Sequence, residues 1–543
     1  MMNIQEILTT KNINKLVYVD DELNKTSYYD NAKAKIRQLV ENGYTNDSYP
    51  FFSNTEIWEE IFEKWWETAS FNDIIVLSNS FNFKRSTTII ANKLSEILPK
   101  SCELVLLAPE QFDETYKTNI IKELYETKAN AIILVDYELD GYTVNGDQLL
   151  DSIAGQECVF CGIYSQTFDV TEEISKWQSR NFNPNVYPIS KKRFNGQNAT
   201  DLTTKGLKNV IWLKQIESIK KMATKLVTYA TETLDNELKK IDPATFDRLI
   251  IANAKEEGCW EFDYLSRIMQ IYLNRGIKNE MQNIFADFQK ETNTIRDFHD
   301  ERQHEFVNDE LLKSLGEEES YDNITYVNSI YSTIANGDIF LIKGKYFILL
   351  AQPCNLSIRG DGRRSYDLDQ AFLVPLYGNE KHLGTFCEEL QYPFNKTFCH
   401  VSFVDRQRVS LSILDLVSYN RNGEATIDIH INSENLPGHE IMQDNLLKRY
   451  NKIKDKISSI HQTYELALNG RNDNNTINLF SKYFCKPLMG GEKVAVKPKI
   501  EASKISFDIK RVGRYNSYGA HVLLQQFMSY MSRPEFPAKF DRC

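Results

Sequence analysis

The first 200 residues alternate short, continuous apolar runs with segments of helical periodicity, and this alternation restricts the fold more than any other feature of the chain. Six runs are predicted to be buried strands: KLVYV at 15–19, DIIVLS at 73–78, ELVLLA at 103–108, AIILVD at 131–136, VFCGIYS at 159–165 and NVYPI at 185–189. Short apolar strands separated by helices form parallel sheets that are covered on both faces. We therefore expect a parallel α/β sheet with a binding site beyond the carboxyl ends of its strands.

Most of the reactive side chains in this region come at those predicted strand ends. The set comprises the adjacent pair Asp20 and Asp21, then Asp136, Ser165, Lys191 and Lys192. Two adjacent carboxylates form either a solvated turn or a site for a hard cation with oxygen ligands. Together the group suits phosphoryl transfer to a carboxylate, because acids hold Mg²⁺, one aspartate attacks, and a hydroxyl and a lysine steady the phosphate oxygens.

This region resembles the receiver domain of two-component response regulators. LVYVDDE at 16–22 is similar to that family's first strand and acid pair, and ILVDYELDG at 133–141, followed by NGDQLL, is similar to its phosphoacceptor strand and loop. The resemblance implies a flavodoxin-like fold in which Asp136 is phosphorylated. It further implies that Ser165 and Lys191 contact the phosphoryl group. The implied Mg²⁺ ligands are Asp20, Asp21, Asp136 and the backbone carbonyl of Glu138.

The chain departs from the receiver pattern at four points. The acid pair and Asp136 are much further apart than in a receiver, which implies an insertion at about 45–130 containing the acidic, Trp-rich helix EIWEEIFEKWWETA. Gln166 stands where the family has a small residue, and Lys192 replaces the usual proline, which leaves the choice between Lys191 and Lys192 open. Tyr187 lies one place away from the usual aromatic switch position, so signalling by that switch is not expected.

Beyond residue 200 the pattern changes twice. Residues 201–315 carry a helical stripe and are predicted to form a helical connector. A heptad-like series within it is interrupted at Glu291, and it fits either a short dimerising coiled coil, which would make a homodimer, or a helix packed on its own domain. The series consists of Met281, Ile284, Phe288, Ile295 and Phe298. Residues 316–543 are rich in strands and are predicted to form an α+β domain around a small antiparallel sheet or barrel.

Composition restricts the partners and the location. The net charge of −11 argues against a nucleic-acid-binding surface that covers the whole chain. The segment 492–514 is locally basic, with seven Lys or Arg residues against three acids. It fits a solvated strand face, a nucleic-acid contact or a contact with an acidic partner. The apolar runs are too short to span a bilayer, and the N-terminus lacks a secretory signal. Nine cysteines without a disulfide framework fit a reducing compartment, so we expect a cytoplasmic protein without membrane contact.

The sequence favours a bacterial regulatory protein in which an enlarged receiver-like domain, residues 1–200, controls a C-terminal output or interaction domain. Its phosphodonor would be a histidine kinase or a related ATPase, and a protein partner would bind the C-terminal domain. A stress or phage-defence system is a further hypothesis about its setting. Two alternatives stay open: Cys354 and His400 make the C-terminal domain an enzyme that the receiver-like part regulates, or the receiver-like part is a non-phosphorylated docking module.

Overall fold

The chain forms two compact units in a computed structural model. Unit 1 is built from residues 1–233 and 273–307, and unit 2 from residues 234–272 and 308–543. The predicted helical connector over 201–315 is therefore shared between the two units. The structure describes residues 3–23, 25–44, 49–52, 56–69, 73–74, 76–77, 86–139, 142–179, 183–195, 198–299, 308–364, 369–378, 387–390, 393–395, 397, 399–468, 498–501 and 503–532.

Unit 1 contains a five-stranded parallel sheet among its described residues. Its strands are β1 Ile13–Val19, β2 Glu103–Leu107, β3 Asn130–Asp136, β4 Val159–Ser165 and β5 Val186–Ser190. They are arranged in the order β2-β1-β3-β4-β5, which is the flavodoxin-like order. Along β1 the side chains alternate between two apolar clusters, one on each face of the sheet. The predicted parallel α/β sheet is confirmed, and the ends of β1 and β3 are neighbours.

Helices cover the sheet and build an additional aromatic cluster. Those of the first 200 residues are α1 Ile4–Thr10, α2 Lys25–Glu41, α3 Trp58–Thr68, α4 Ser86–Ile97, α5 Glu114–Thr127, α6 Gly146–Leu150 and α7 Glu173–Gln178. The predicted Trp-rich helix is confirmed as α3. The predicted strand at 73–78 is wrong, because its described residues, 73–74 and 76–77, are helical. Ile74 and Leu77 are buried in the aromatic cluster with Phe62 and Trp66, and a short apolar run does not distinguish a buried helical turn from a strand.

Two long helices follow the sheet. The elements in this region are α8 Ala199–Leu238, α9 Pro243–Phe246, a π-helical segment Asp247–Ala252, α10 Asn253–Glu257 and α11 Glu261–His299. Within unit 1, α8 and α11 cross closely at Gly276, where an added Cβ would lie 2.7 Å from the Cα of Ala230. Met281 and Phe288 have exposed side chains, whereas the side chain of Phe298 lies outside the described residues. The dimerising coiled coil stays a prediction.

Unit 2 contains a separate antiparallel sheet, which confirms the predicted α+β domain in its coarse form. The strands are β6 Asp338–Ile342, β7 Lys345–Leu350, β8 Gln370–Tyr377, β9 Cys387–Glu389, β10 His400–Ser402, β11 Gln407–Ser410, β12 Glu424–Asp428, β13 Lys499–Glu501 and β14 Lys504–Arg514. Among the described residues the main order is β12-β14-β6-β7-β8-β10-β9, with β11 beside β8 and β13 beside β14. Lys343 and Gly344, both with positive φ, form the tight turn between β6 and β7.

Six α-helices accompany this sheet in the described part of residues 308–543. They are α12 Asp309–Ser320, α13 Ile324–Ser329, α14 Pro353–Leu356, α15 Leu411–Asp415, α16 Asp444–Leu468 and α17 Ser517–Met531. The apolar composition of RVSLSILDLV at 408–417 predicts one strand, and this prediction is wrong from Leu411 onward, where α15 begins. The carboxylate of Asp369 accepts the backbone N–H of Ser412 at 3.1 Å, so a residue distant in sequence supplies the helix cap.

Candidate functional site

Three carboxylates converge at the carboxyl edge of the parallel sheet. Asp20 follows β1 and Asp136 ends β3, and Val19 and Val135 are paired in the strand register just before them. One oxygen from each of Asp20, Asp21 and Asp136 lies within 4.8 Å of the others. Like-charged groups brought this close need a cation or protons, since their mutual repulsion is strong where water is excluded.

Asp20 is buried and is held by several donors. Tyr18, also buried on β1, donates its hydroxyl to Asp20 Oδ2 at 2.6 Å, and the backbone N–H of Glu22 donates to Asp20 Oδ1 at 2.9 Å. Lys191 Nζ lies 3.5 Å from Asp20 Oδ2. Burial raises the pKa of Asp20, and the ammonium group and the two hydrogen bonds oppose that rise. This carboxylate is therefore fixed in one orientation.

Lys191 is the lysine of this site. It opens the 3₁₀ turn Lys191–Phe194 after β5, and its buried ammonium group forms a short ion pair with Asp136 Oδ2. Lys192 has an exposed side chain that pairs with Asp169 instead. The structure thereby decides between the two lysines that the sequence left open.

A buried ion pair holds the turn that carries Lys191. Arg193 Nε and Nη2 each donate to one carboxylate oxygen of Glu173 at 2.7 Å. The same carboxylate accepts the backbone N–H of Ser190 at 2.8 Å. Because both partners are buried and their hydrogen bonds are satisfied, this contact stabilises the end of β5 and with it the position of the lysine.

Asp136 has the properties of a reactive carboxylate. Burial raises its pKa to about 7, repulsion from Asp20 adds to the rise, and Lys191 opposes it. Its backbone carbonyl is packed against Gly146 at the start of α6, where an added Cβ would lie 2.0 Å from the carbonyl oxygen. Gly146 therefore allows the loop after β3 to return close to the strand end, a requirement that the sequence analysis missed.

Ser165 lies at the same sheet edge, at the end of β4. It is buried, and its Oγ accepts the backbone N–H of Thr167 at 3.0 Å and lies 2.7 Å from Thr167 Oγ1. The side chains of Gln166 and Glu138 are exposed. The acid cluster in the described residues consists of the carboxylates of Asp20, Asp21 and Asp136. The role of the Glu138 backbone carbonyl as a Mg²⁺ ligand therefore stays a prediction.

Two buried tyrosines, which the sequence analysis did not identify, lie beneath the cluster. The Tyr164 ring contacts the rings of Tyr18 and Phe194 edge to face, with centroids 5.5 and 4.9 Å away. The Tyr164 hydroxyl has no hydrogen-bond partner among the described residues. Burial and the nearby Asp20 carboxylate raise the pKa of both tyrosines, so both hydroxyls stay protonated at neutral pH. The sequence signal that could have identified them is a tyrosine inside an apolar strand, because a buried tyrosine hydroxyl usually has a hydrogen-bond partner.

The candidates in unit 2 are not assembled into a catalytic pair in the described structure. Cys354 is exposed on α14, and its Sγ lies 3.9 Å from amide oxygens of Gln352 and Asn355. His400 is buried on β10, and no hydrogen bond between it and Cys354 exists among the described residues. The enzymatic alternative stays a prediction.

The basic segment 492–514 agrees in part with the solvated strand face that its sequence favours, because Lys499 and Lys504 are exposed, but its two arginines are not. Residues 492–497 lie outside the described part of the chain. On β14, Arg511 is fully buried and Arg514 is largely buried, and both form ion pairs with the buried Asp338, at 3.4 and 2.5 Å. These two arginines therefore stabilise unit 2 rather than present charge to a partner.

Comparisons of the chain with known protein families, curated proteins and solved structures find no match. Among the helices that the structure describes, none is long and apolar enough to cross a membrane. The function therefore has to be argued from the chemistry of the site.

Proposed function

We propose that unit 1 is a receiver-like regulatory domain that accepts a phosphoryl group on Asp136 with the help of Mg²⁺. The observation that carries this proposal is the cluster of Asp20, Asp21 and Asp136 within 4.8 Å, at the carboxyl edge of a sheet with flavodoxin-like order, with Lys191 paired to Asp136. Ligand sites of such sheets lie at this edge. The resemblance of the strand-end motifs to receiver domains supports the same conclusion.

The donor set fits Mg²⁺. The ion prefers oxygen ligands and is commonly bound through one or two carboxylates together with substrate phosphate oxygens, and Asp20, Asp21 and Asp136 offer such oxygens. When bound, the ion would neutralise charge on the phosphoryl oxygens. Asp20 is well placed as a ligand because Tyr18 and the Glu22 amide already fix its orientation.

The chain's own residues account for the transfer. A deprotonated Asp136 oxygen attacks phosphorus, a new O–P bond forms, and the bond to the donor's leaving group breaks with its electron pair staying on that group. The Lys191 ammonium at Asp136 favours the deprotonated form and can pair with a phosphoryl oxygen. Ser165 offers a hydroxyl at the same edge. In a cell the donor would be a histidine kinase or a related ATPase, and unit 2 would serve as output or interaction domain.

Acetyl phosphate tests the proposal on the full-length protein. We expect the intact mass to rise by one phosphoryl group when Mg²⁺ is present, and not to rise in EDTA or in Asp136→Asn. Asp169→Asn is the matched control, because Asp169 is an exposed carboxylate whose partner is Lys192. If Asp136→Asn forms as much adduct as wild type, another residue accepts the phosphoryl group and the proposal fails. If wild type forms no adduct, the proposal also fails and the docking-module alternative gains support.

A further inference from the structure

Unit 2 contains a second concentration of charge, which the sequence analysis did not identify. A concave pocket of about 240 Å³ lies along one face of α16. Arg449, Lys452 and Lys456 line it from this helix, and their spacing of three and four residues puts them on the same helical face. Arg363 and Arg364 line it from the chain segment that precedes β8.

Part of this pocket is built on a buried ion-pair network. Arg364 donates to both oxygens of Asp415, at 2.7 and 2.5 Å, and both side chains are almost fully buried. Arg449 Nε donates to Asp415 Oδ2 at 2.9 Å. One carboxylate thus fixes two guanidinium groups in place.

The one acidic side chain among the described lining residues, Asp369, pairs with other lining residues of the pocket. Asp369 accepts the Ser412 hydroxyl at 2.6 Å and the Ser412 backbone N–H at 3.1 Å. Asp369 Oδ1 also accepts a hydrogen bond from Arg449 Nη2 at 3.1 Å, and Lys456 Nζ lies 3.6 Å from Asp369 Oδ2. Asp369 and Asp415 together therefore balance part of the positive charge of the five described cations that line the pocket.

Donors remain available in the pocket. Within the described residues, Lys452 Nζ has no hydrogen-bond or ion-pair partner, and Arg449 Nη1 has no hydrogen-bond partner. Arg363 has an exposed guanidinium whose nearest described carboxylate oxygen, on Asp361, is 3.8 Å away. A concave site with two fixed guanidinium groups, further cations and unused N–H donors is complementary to an anion with several acceptor oxygens.

We propose that this pocket binds a small polyphosphate anion, such as the diphosphate or triphosphate part of a nucleotide. The cations from Arg449 to Lys456 extend over about 10 Å of helix, more than one tetrahedral anion spans and suited to two or three linked phosphoryl groups. The concave shape favours a small ligand over a nucleic-acid duplex, which is bound by extended basic surfaces. This site lies in unit 2 and does not depend on the phosphoryl transfer proposed for unit 1.

Isothermal titration of the full-length protein with inorganic tripolyphosphate tests the proposal. EDTA is included so that no metal-assisted binding occurs at the acid cluster of unit 1. Lys452→Gln removes an unpaired cation from the pocket, and Lys454→Gln is the matched control, because Lys454 lies on the same helix outside the pocket lining and donates to Asn432 Oδ1 at 2.6 Å. We expect about tenfold weaker binding for Lys452→Gln and unchanged binding for Lys454→Gln.

Two results would overturn the proposal. One is a wild-type protein that does not bind tripolyphosphate at millimolar concentration, and the other is equal loss of affinity in the two variants. A duplex oligonucleotide distinguishes the two kinds of ligand. If the duplex binds and Lys452→Gln weakens that binding, while tripolyphosphate does not bind, the pocket belongs to a nucleic-acid-binding surface. The midpoint of thermal unfolding should be the same in both variants, since Lys452 makes no described polar contact that folding requires.

Discussion

Mg²⁺ binding at the acid cluster should strengthen as the pH rises from 6 to 8. Burial, together with repulsion from Asp20, raises the pKa of Asp136 to about 7, so this carboxyl group is largely protonated at pH 6. A protonated carboxyl group is a poor metal ligand, and Mg²⁺ must displace its proton. Proton and metal therefore compete for the same oxygen atoms.

The size of the effect follows from this pKa. With a pKa of about 7, roughly one tenth of Asp136 is deprotonated at pH 6 and roughly nine tenths at pH 8, so the Mg²⁺ affinity should rise about tenfold. The pKa of Asp20 is also raised, which acts in the same direction.

The same pKa has a consequence for stability. The folded chain holds a proton on Asp136 that the unfolded chain releases at its ordinary pKa of 3.8. The metal-free protein should therefore lose stability as the pH rises from about 4 to about 7, and Mg²⁺ should offset that loss.

Isothermal titration in two buffers of different ionisation enthalpy measures both the affinity and the protons released. We expect release of about one proton from Asp136 on Mg²⁺ binding at pH 6 and about a tenth of a proton at pH 8. Asp136→Asn lacks this titrating group, so any Mg²⁺ binding that remains in the variant should not include the proton release expected from Asp136. Equal affinities at pH 6 and pH 8 without proton release would refute the reasoning.

Three further predictions concern single side chains. Lys191→Met should lower acetyl phosphate labelling at least tenfold, whereas Lys192→Met should leave it unchanged; equal labelling of the two variants, measured by intact mass, would contradict the assignment. Tyr18→Phe removes the donor to Asp20 and should weaken Mg²⁺ binding about fivefold to tenfold with an unchanged far-ultraviolet circular dichroism spectrum; unchanged affinity would count against the positioning role. Asp415→Ala removes the carboxylate partner of the buried Arg364 and leaves Arg449 with Asp369 as its remaining described carboxylate partner, so it should lower the free energy of unfolding by about 3–5 kcal/mol in urea titrations; a midpoint equal to wild type would argue against the network.

Local pattern predicted much of the parallel sheet. Five of the six apolar runs form its strands, and the acid pair, Asp136, Ser165 and Lys191 lie at the carboxyl edge as expected. The prediction of these strands succeeded because a strand that is buried on both faces has a continuous apolar sequence, which can be recognised from the local sequence alone. The same rule failed at 73–78 and after Ser410, where short apolar runs are helical, because burial by tertiary contacts, not periodicity, decides the conformation of such runs.

The sequence by itself determined the fold class and the set of side chains that could meet at one sheet edge. Tertiary structure alone decided that Lys191, and not Lys192, pairs with Asp136, because the 3₁₀ turn after β5, held by a buried ion pair to α7, sets the direction of each side chain. It also decided the second charged site, since Arg364, Asp415 and Arg449 are distant in sequence and meet only when α15 and α16 pack together. Periodicity reports which residues share a face of one element, whereas contacts between elements depend on packing that no local pattern encodes.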